Sequence, residues 1–380
     1  MRSGCGSGRA VKGGLFLLQL PPPVHGVTAM NARVLECASR VLDGRVDVLR
    51  IAFAEDLGSI NRVSARKLWL WLRLLLGLAT RLARRRPSFV YFTPVPTGPG
   101  FLRDLTFIGV VKAFRVPLIL HLHGRGIAER TENPLWRGLY RLVLRQCAIV
   151  SASPGMQARE LTPLRLSGSR LYTVPNRVEA VDVEGFRRRC SGRAPRLLFL
   201  SSTFPAKGVL ILLDAAKRLR ERGVPFELNI VGSSTPAIDG AIAEYVRAHD
   251  LGAHVRCDGA LYGPDKYRAF GRADVFVHPT LNDYVPLVVL EALQFGLPIV
   301  STNVGAIPEM VIDGEHGLIV EQGDAAALAC ALETLLRDAA LRRSMGLASR
   351  CRYLTHYAPE RFDEAFRVML RAERFAGADA

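Results

Sequence analysis

The chain has 380 residues, 49% of them hydrophobic, and a net charge of +16 at pH 7. That length suits two domains, and that apolar fraction supports large cores and excludes an intrinsically disordered chain. No run of about 18 uninterrupted apolar residues occurs, so no transmembrane helix is expected.

Arg2, Arg9 and Lys12 precede an apolar run at 15–20. The order imitates a signal peptide, but the run is too short and lacks a small-residue cleavage site. A first buried strand is the better reading. Further short apolar runs at 46–51, 89–93, 117–121, 148–152 and 171–174 alternate with helical stretches, as parallel α/β sheets do. After the first strand, Gly26 follows a proline run. It is either an ordinary turn or a place where backbone approaches a phosphate closely, with a helix starting near Thr28.

Residues 64–86 read as a helix that is apolar nearly all round, with Arg66, Lys67, Arg73, Arg81 and Arg84 to Arg86 as its charges. One reading is a buried helix with a charged exit. The other is a helix lying on an anionic membrane surface, with Trp69 and Trp71 at the interface. The next strand ends in His121 and His123, which share a face by the two-residue period. Ligand groups gather at the carboxyl ends of parallel strands.

Residues 179–195 are polar, with Arg187, Arg188 and Arg189, and read as a linker. The second half restarts with a strand from Arg196, then Ser201, Ser202 and the pair Lys207-Gly208 near a helix start. Strands at 227–231, 255–257 and 274–278 follow. Two helical segments occupy 325–352, and 359–375 is amphipathic.

The stretch 283–311 organises the second half. Asp283 sits in a turn, and Pro286 suits a first helical position. The amides of Leu287 and Val288 open that helix without intrahelical acceptors, and their positive end suits a phosphate. Glu291 lies about 6 Å further along the axis. The helix stops near Gly296, and Pro298 opens the next strand. This pattern suits a sugar nucleotide, or equally an ordinary βα unit with two solvated acids.

The seven cysteines (Cys5, Cys37, Cys147, Cys190, Cys257, Cys330 and Cys351) form no CxxC pair or zinc spacing, so reduced thiols in a cytosol are expected. No Asp-x-Asp pair occurs, so no metal-bound diphosphate is suggested. Residues 1–200 carry 32 Lys+Arg against 12 Asp+Glu, hence +20; residues 201–380 carry 19 against 23, hence −4. The basic half, nearly all of it arginine, suits an anionic surface or acceptor.

The order Asp283, Glu291-Ala292, Gly296-Leu297-Pro298 and Gly305-Ala306-Ile307-Pro308-Glu309 resembles the Glu-x7-Glu region of family 4 retaining glycosyltransferases. Asp283, one methylene shorter, takes the place of the first Glu. Lys207-Gly208 and Val174-Pro175-Asn176 also match, whereas Ser201, Ser202 and Arg177 stand where Gly, Arg and Gly are usual. His25 replaces one glycine of the loop before the first helix.

The resemblance covers 190–355 well and the first half more weakly. It implies an α/β chain of the GT-B fold, with two Rossmann-like domains facing across a cleft. The domains are 1–178 for the acceptor, 179–195 as linker and 196–355 for the donor nucleotide, with a helix at 356–380 packing back on the first domain. It implies a nucleotide-sugar donor and a glycan or lipid-linked acceptor, without cofactor, metal or nucleic acid. His123 and Asp283 would hold the transferred sugar. Gly26, Ser202, Lys207, Gly259, Leu261, Val285, Leu287, Val288 and Glu291 would bind the donor. A cytoplasmic enzyme, peripheral on the inner face of a membrane, is the expected setting. A nucleotide-sugar epimerase of the same fold and a non-enzymatic basic binder of nucleic acid or membrane are the rivals.

Overall fold

The structure, a computed structural model, describes residues 13–22, 25–52, 65–186 and 193–375. The expectations for Arg2, Cys5, Arg9, Lys12, the first residue of the helix at 64–86, Arg187 to Arg189 and Cys190 lie outside these residues. The chain divides into two units, 1–175 with 362–380, and 176–361.

The first unit runs β1 (Gly14–Leu18), α1 (Gly26–Val41), β2 (Val46–Arg50), α2 (Ala65–Arg85), β3 (Val90–Phe92), α3 (Gly98–Ala113), β4 (Leu118–Leu122), α4 (Ile127–Arg130), α5 (Pro134–Leu144), β5 (Ala148–Ser151), α6 (Pro154–Leu161) and β6 (Arg170–Thr173). Its strands form one parallel sheet in the order β2-β1-β3-β4-β5-β6. Leu17 of β1 lies opposite Leu49 of β2 and Phe92 of β3. The inner strands β1 and β3 are apolar and buried throughout, as strands of a parallel sheet covered on both faces are, whereas the edge strands β2 and β6 carry charged residues.

The second unit continues with α7 (Val183–Phe186), β7 (Arg196–Leu200), α8 (Val209–Glu221), β8 (Glu227–Val231), α9 (Pro236–Ala248), β9 (Val255–Gly259), α10 (Gly263–Arg272), β10 (Val275–His278), α11 (Leu287–Gln294), β11 (Ile299–Thr302), α12 (Ile307–Met310), β12 (Gly317–Val320), α13 (Ala325–Arg337) and α14 (Ala339–Arg352), and the last helix, α15 (Pro359–Ala372), belongs to the first unit from Phe362 on. Its parallel sheet has the order β12-β11-β10-β7-β8-β9. The order reverses between β10 and β7, and the carboxyl ends of strands at such a switch are where α/β sheets receive ligands.

Residues 179–186 of the expected linker fold into the second unit. Tyr267 Oη donates to Glu179 Oε2 at 2.9 Å, and the Phe186 and Tyr267 rings meet edge to face at 5.6 Å. From Phe362 on, α15 packs in the first unit, where Phe366 lies 5.9 Å from Tyr91 and Tyr172 Oη donates to Glu373 at 2.8 Å.

Helix α2 departs from an apolar rod. Leu78 and Leu82 are buried, and Trp71, Leu74 and Leu75 pack against the first unit's core. Trp71 Nε1 donates to Thr106 Oγ1 at 3.0 Å. Leu68, Trp69, Leu72 and Leu76 are exposed, Trp69 by 57%. The buried-helix reading therefore fails for Trp69 and holds only in part for Trp71, which is half-buried. No helix among the described residues is long and apolar enough to cross a membrane. Among the described cysteines, Cys37, Cys147, Cys257, Cys330 and Cys351 are free thiols.

Candidate active site

β10 ends at His278, and the turn after it delivers Asp283 to the mouth of α11. Thr302 Oγ1 donates to the Thr280 carbonyl at 2.6 Å, and the Leu281 amide to the Ala206 carbonyl at 2.9 Å, which ties the turn to the loop carrying Lys207. Lys207 Nζ lies 2.6 Å from Asp283 Oδ1, and His278 Nε2 donates to Asp283 Oδ2 at 2.9 Å. Burial alone would push the Asp283 carboxyl up. The His278 and Lys207 contacts outweigh it and hold that carboxyl well below the usual carboxylate range.

Two glycines fix this corner. Gly208 has φ +80°, and a Cβ there would lie 1.9 Å from the Pro279 carbonyl oxygen. Gly305 has φ +60°, and a Cβ there would lie 2.4 Å from the Asp283 carbonyl oxygen. The Ala306 amide then donates to the Tyr284 carbonyl at 2.8 Å, so the Gly-Ala-Ile-Pro-Glu segment clamps the Asp283 turn from behind.

Pro286 is the N-cap of α11, with extended backbone, rather than its first helical residue as the sequence suggested. The helix begins at Leu287, so the Leu287 and Val288 amides do open it. The Val285 carbonyl accepts from Asn176 Nδ2 at 3.2 Å, which ties Asn176 to the approach of α11. Glu291 is buried one turn in, and its Oε1 lies 2.6 Å from Lys266 Nζ of α10. Neither carboxylate is the solvated acid of the plainer reading.

Gly259 is the last residue of β9, opposite Val231, rather than a loop residue; its φ of +66° turns the chain toward Leu261 and α10. Leu261 lines a cavity of about 680 Å³ with Asp258, Arg256, Arg268 and Arg196 along β7 to β9. Lys207, Asp283 and Glu291 do not line that cavity. Ser202 follows β7 and leaves only short hydroxyl reach where a guanidinium is usual.

The family model described as glycosyl transferases group 1 matches residues 194–338. The chain is similar to the D-inositol 3-phosphate glycosyltransferase of Paenarthrobacter aurescens, with 30% identity over 51% of this chain and 45% of that one. It spans between 37% and 57% of the length of the first curated relatives with which it aligns. In solved structures, sucrose-phosphate synthase from Thermosynechococcus elongatus is similar with a TM-score of 0.74 and 18% identity, covering 95% of this chain and 99% of that one. HepE of Anabaena, in complex with UDP and glucose, gives a TM-score of 0.71 and 15% identity over 95% and 100%. At these identities the likeness concerns the fold, which is GT-B.

The matched residues 194–338 include Lys207, Asp283, Glu291 and the α11 amides. His123, outside them, lies just past β4, its ring 3.9 Å from that of His121. Tyr91 Oη bonds His121 Nδ1, and Nε2 of both histidines is buried without a hydrogen-bond partner. Burial pushes the His123 imidazole down to about 4, so it is neutral at pH 7. Gly26 is the first residue of α1, with His25 as N-cap and open space where a Cβ would stand. Among the described residues no group of three His, Cys, Asp or Glu could hold a metal ion. The motif reading missed His278 and Lys266. His278 could have been noticed five residues before Asp283 at a strand end. Lys266 reaches Glu291 only through the fold.

Proposed function

We propose that this chain transfers a sugar from a nucleotide-sugar donor to a glycan or lipid-linked acceptor, with retention at the anomeric carbon. The observation that carries the reading is the pairing at α11. Two carboxylates, one at its mouth and one a turn deeper, each sit 2.6 Å from a lysine ammonium. Lys207 and the Leu287 and Val288 amides would stabilise the leaving diphosphate, whose negative charge grows as the glycosidic bond breaks. Glu291 would accept from ribose hydroxyls, and Gly259, Leu261 and Val285 would line the nucleotide. Asp283 would orient the transferred sugar, with Ser202 a weaker phosphate contact.

The resemblance assigns His123 to that sugar and Gly26 to the diphosphate, and a neutral, buried imidazole suits hydrogen bonding to sugar hydroxyls. In this reading the acceptor attacks on the face that the diphosphate leaves, no covalent nucleophile is used and no metal is required. HepE, in complex with UDP and glucose, shares the fold and supports a nucleotide-sugar donor.

The acceptor side rests on charge and on α2. The exposed stripe of Leu68, Trp69, Leu72 and Leu76, beside Arg73 and within the +20 first half, suits an anionic membrane surface. A cytoplasmic enzyme working peripherally in cell-surface polysaccharide or glycolipid synthesis fits both halves of the reading.

The test is a panel of nucleotide sugars, assayed with and without glycan and lipid-linked acceptors, with calorimetry on Glu291→Gln. Acceptor-dependent release of nucleoside diphosphate supports transfer. Epimer formation without acceptor supports the epimerase instead. Glu291→Gln is expected to lose about 1.5–3 kcal/mol of donor affinity, and an unchanged affinity in the folded variant removes Glu291 from the site.

A further inference from the structure

β10 ends in a histidine that the fold encloses: His278 is 1% exposed. Its backbone is held from β11, where Ser301 Oγ donates to the His278 carbonyl at 2.6 Å. Its ring lies 6.1 Å from that of Phe276, two residues earlier on the same face of the strand. Nδ1 is buried without a hydrogen-bond partner, and Nε2 donates to Asp283 Oδ2 at 2.9 Å. A buried polar ring with one nitrogen unsatisfied is costly where an apolar side chain would pack without that cost. What the histidine adds in return is its bond to Asp283.

Asp283 is anchored on both oxygens, from two segments of the chain. Lys207 Nζ, in the loop after β7, lies 2.6 Å from Oδ1, and His278, at the end of β10, takes Oδ2. A carboxylate turns broadly about its last side-chain bond. One ammonium on one oxygen leaves much of that rotation open, and a donor from a different direction on the other oxygen fixes the plane. The two contacts use about half of the roughly four acceptor sites of a carboxylate, and the Asp283 side chain keeps 15% exposure.

We propose that His278 is a positioning residue for sugar transfer: by holding the second oxygen it fixes the plane in which the Asp283 carboxylate meets the transferred sugar. The inference rests on the reading of Asp283 as the sugar-orienting carboxylate. A fixed plane sends the remaining acceptor sites to set positions, so that a sugar hydroxyl bonds there in one pose and the anomeric carbon is presented in one pose. The diphosphate, which that reading gives to Lys207 and the α11 amides, does not depend on the plane.

The experiment measures binding to the full chain of UDP-glucose, UDP-N-acetylglucosamine, GDP-mannose and ADP-glucose, and of UDP, GDP and ADP. The sugar nucleotide that wild type binds best is then compared with its parent diphosphate in His278→Phe, His278→Asn, His278→Gln and Asp283→Ala, each checked by thermal melting. His278→Phe and His278→Asn are expected to lose about tenfold in affinity for the sugar nucleotide, the worth of one hydrogen bond to a charged group, and to keep the diphosphate within about twofold. His278→Gln, whose amide nitrogen reaches the place of Nε2, is expected to stay within about threefold of wild type for both. If His278→Phe does not fold, His278→Asn against His278→Gln carries the comparison. Equal weakening toward sugar nucleotide and diphosphate overturns the inference, since it marks a structural or phosphate role. So do unchanged affinities in the folded Phe or Asn variant, and a Gln variant no better than Asn. When Asp283→Ala shifts the balance between sugar nucleotide and diphosphate but the His278 variants do not, the inference alone fails. When Asp283→Ala leaves that balance unchanged, or wild type binds none of the seven nucleotides, the reading of Asp283 fails and the inference with it.

Discussion

Lys207 Nζ and Asp283 Oδ1 lie 2.6 Å apart across 76 residues of sequence. In the proposed reading the pair joins the phosphate-binding cation to the sugar-orienting carboxylate, and His278 at the end of β10 makes the third member. Asp283 is thereby held as a carboxylate in a fixed place, and such preorganisation is what stabilisation of a leaving diphosphate requires.

Lys207→Met is expected to cost about 1–3 kcal/mol of stability, because a mostly buried carboxylate loses its cation. Lys207→Met combined with Asp283→Asn should cost less than the two single changes summed, by about 1 kcal/mol or more. Chemical denaturation of the four proteins measures this coupling. Turnover should fall far more than stability in Lys207→Met, and full turnover in that variant removes the phosphate role. The pair also sets a pH dependence. A carboxyl held below its usual range contributes stability that is present above about pH 4 and lost as the pH falls further. Asp283→Asn should remove that acid-side loss.

Gly305→Ala tests the clamp behind the Asp283 turn. The positive φ disfavours any side chain, and the new Cβ would meet the Asp283 and Tyr284 carbonyl oxygens at 2.4 and 2.6 Å. A cost of at least about 1–3 kcal/mol is expected, with nucleoside diphosphate affinity falling as the turn shifts. Gly44→Ala, also at positive φ but with open space around it, separates strain from collision. It should be milder and leave nucleotide affinity unchanged.

Asp104 gives a pH dependence of the opposite sign. Burial pushes its carboxyl up to about 6, against the pull of Arg103 and the Val95 amide. Its favourable contribution is therefore complete below about pH 4 and is lost as the pH rises through about 6, on the order of 3 kcal/mol in all. Melting of wild type and Asp104→Asn across pH 4–8 should show wild type losing ground to the variant over that window. Parallel curves would mean that Asp104 stays charged throughout.

The α2 face separates two tryptophans by function. Trp69→Ala should change stability by less than about 0.5 kcal/mol, because the ring is exposed, whereas Trp71→Ala should cost about 1–3 kcal/mol through lost packing and the bond to Thr106. Each basic residue near an anionic surface contributes on the order of 1 kcal/mol within a Debye length of about 8 Å. Sedimentation with anionic vesicles, but not with neutral ones, is expected for wild type, reversed by high salt and weakened by Trp69→Ala with Leu72→Ser. Equal recovery in the supernatant with and without anionic lipid points to a soluble acceptor. Arg85 is a poor probe here, since it also pairs with Asp47 at 2.9 Å.

The sequence by itself determined the parallel α/β character and the course of the second half from Lys207 to Glu309. Buried parallel strands are written as short apolar runs, and a helix opening after a proline with a carboxylate on either side is a local pattern. Strand ends were legible only to a residue or two, because pairing across the sheet, not local propensity, decides where a strand stops; Gly259 extends β9 through its partner Val231. The tertiary structure alone decided which groups meet. Lys266 reaches Glu291 across 25 residues, and His278 and Lys207 converge on one Asp283 carboxylate. It also decided which side of α2 is covered: a helix apolar nearly all round carries no periodic signal for its buried face, so only packing against α3 distinguishes Trp71 from Trp69.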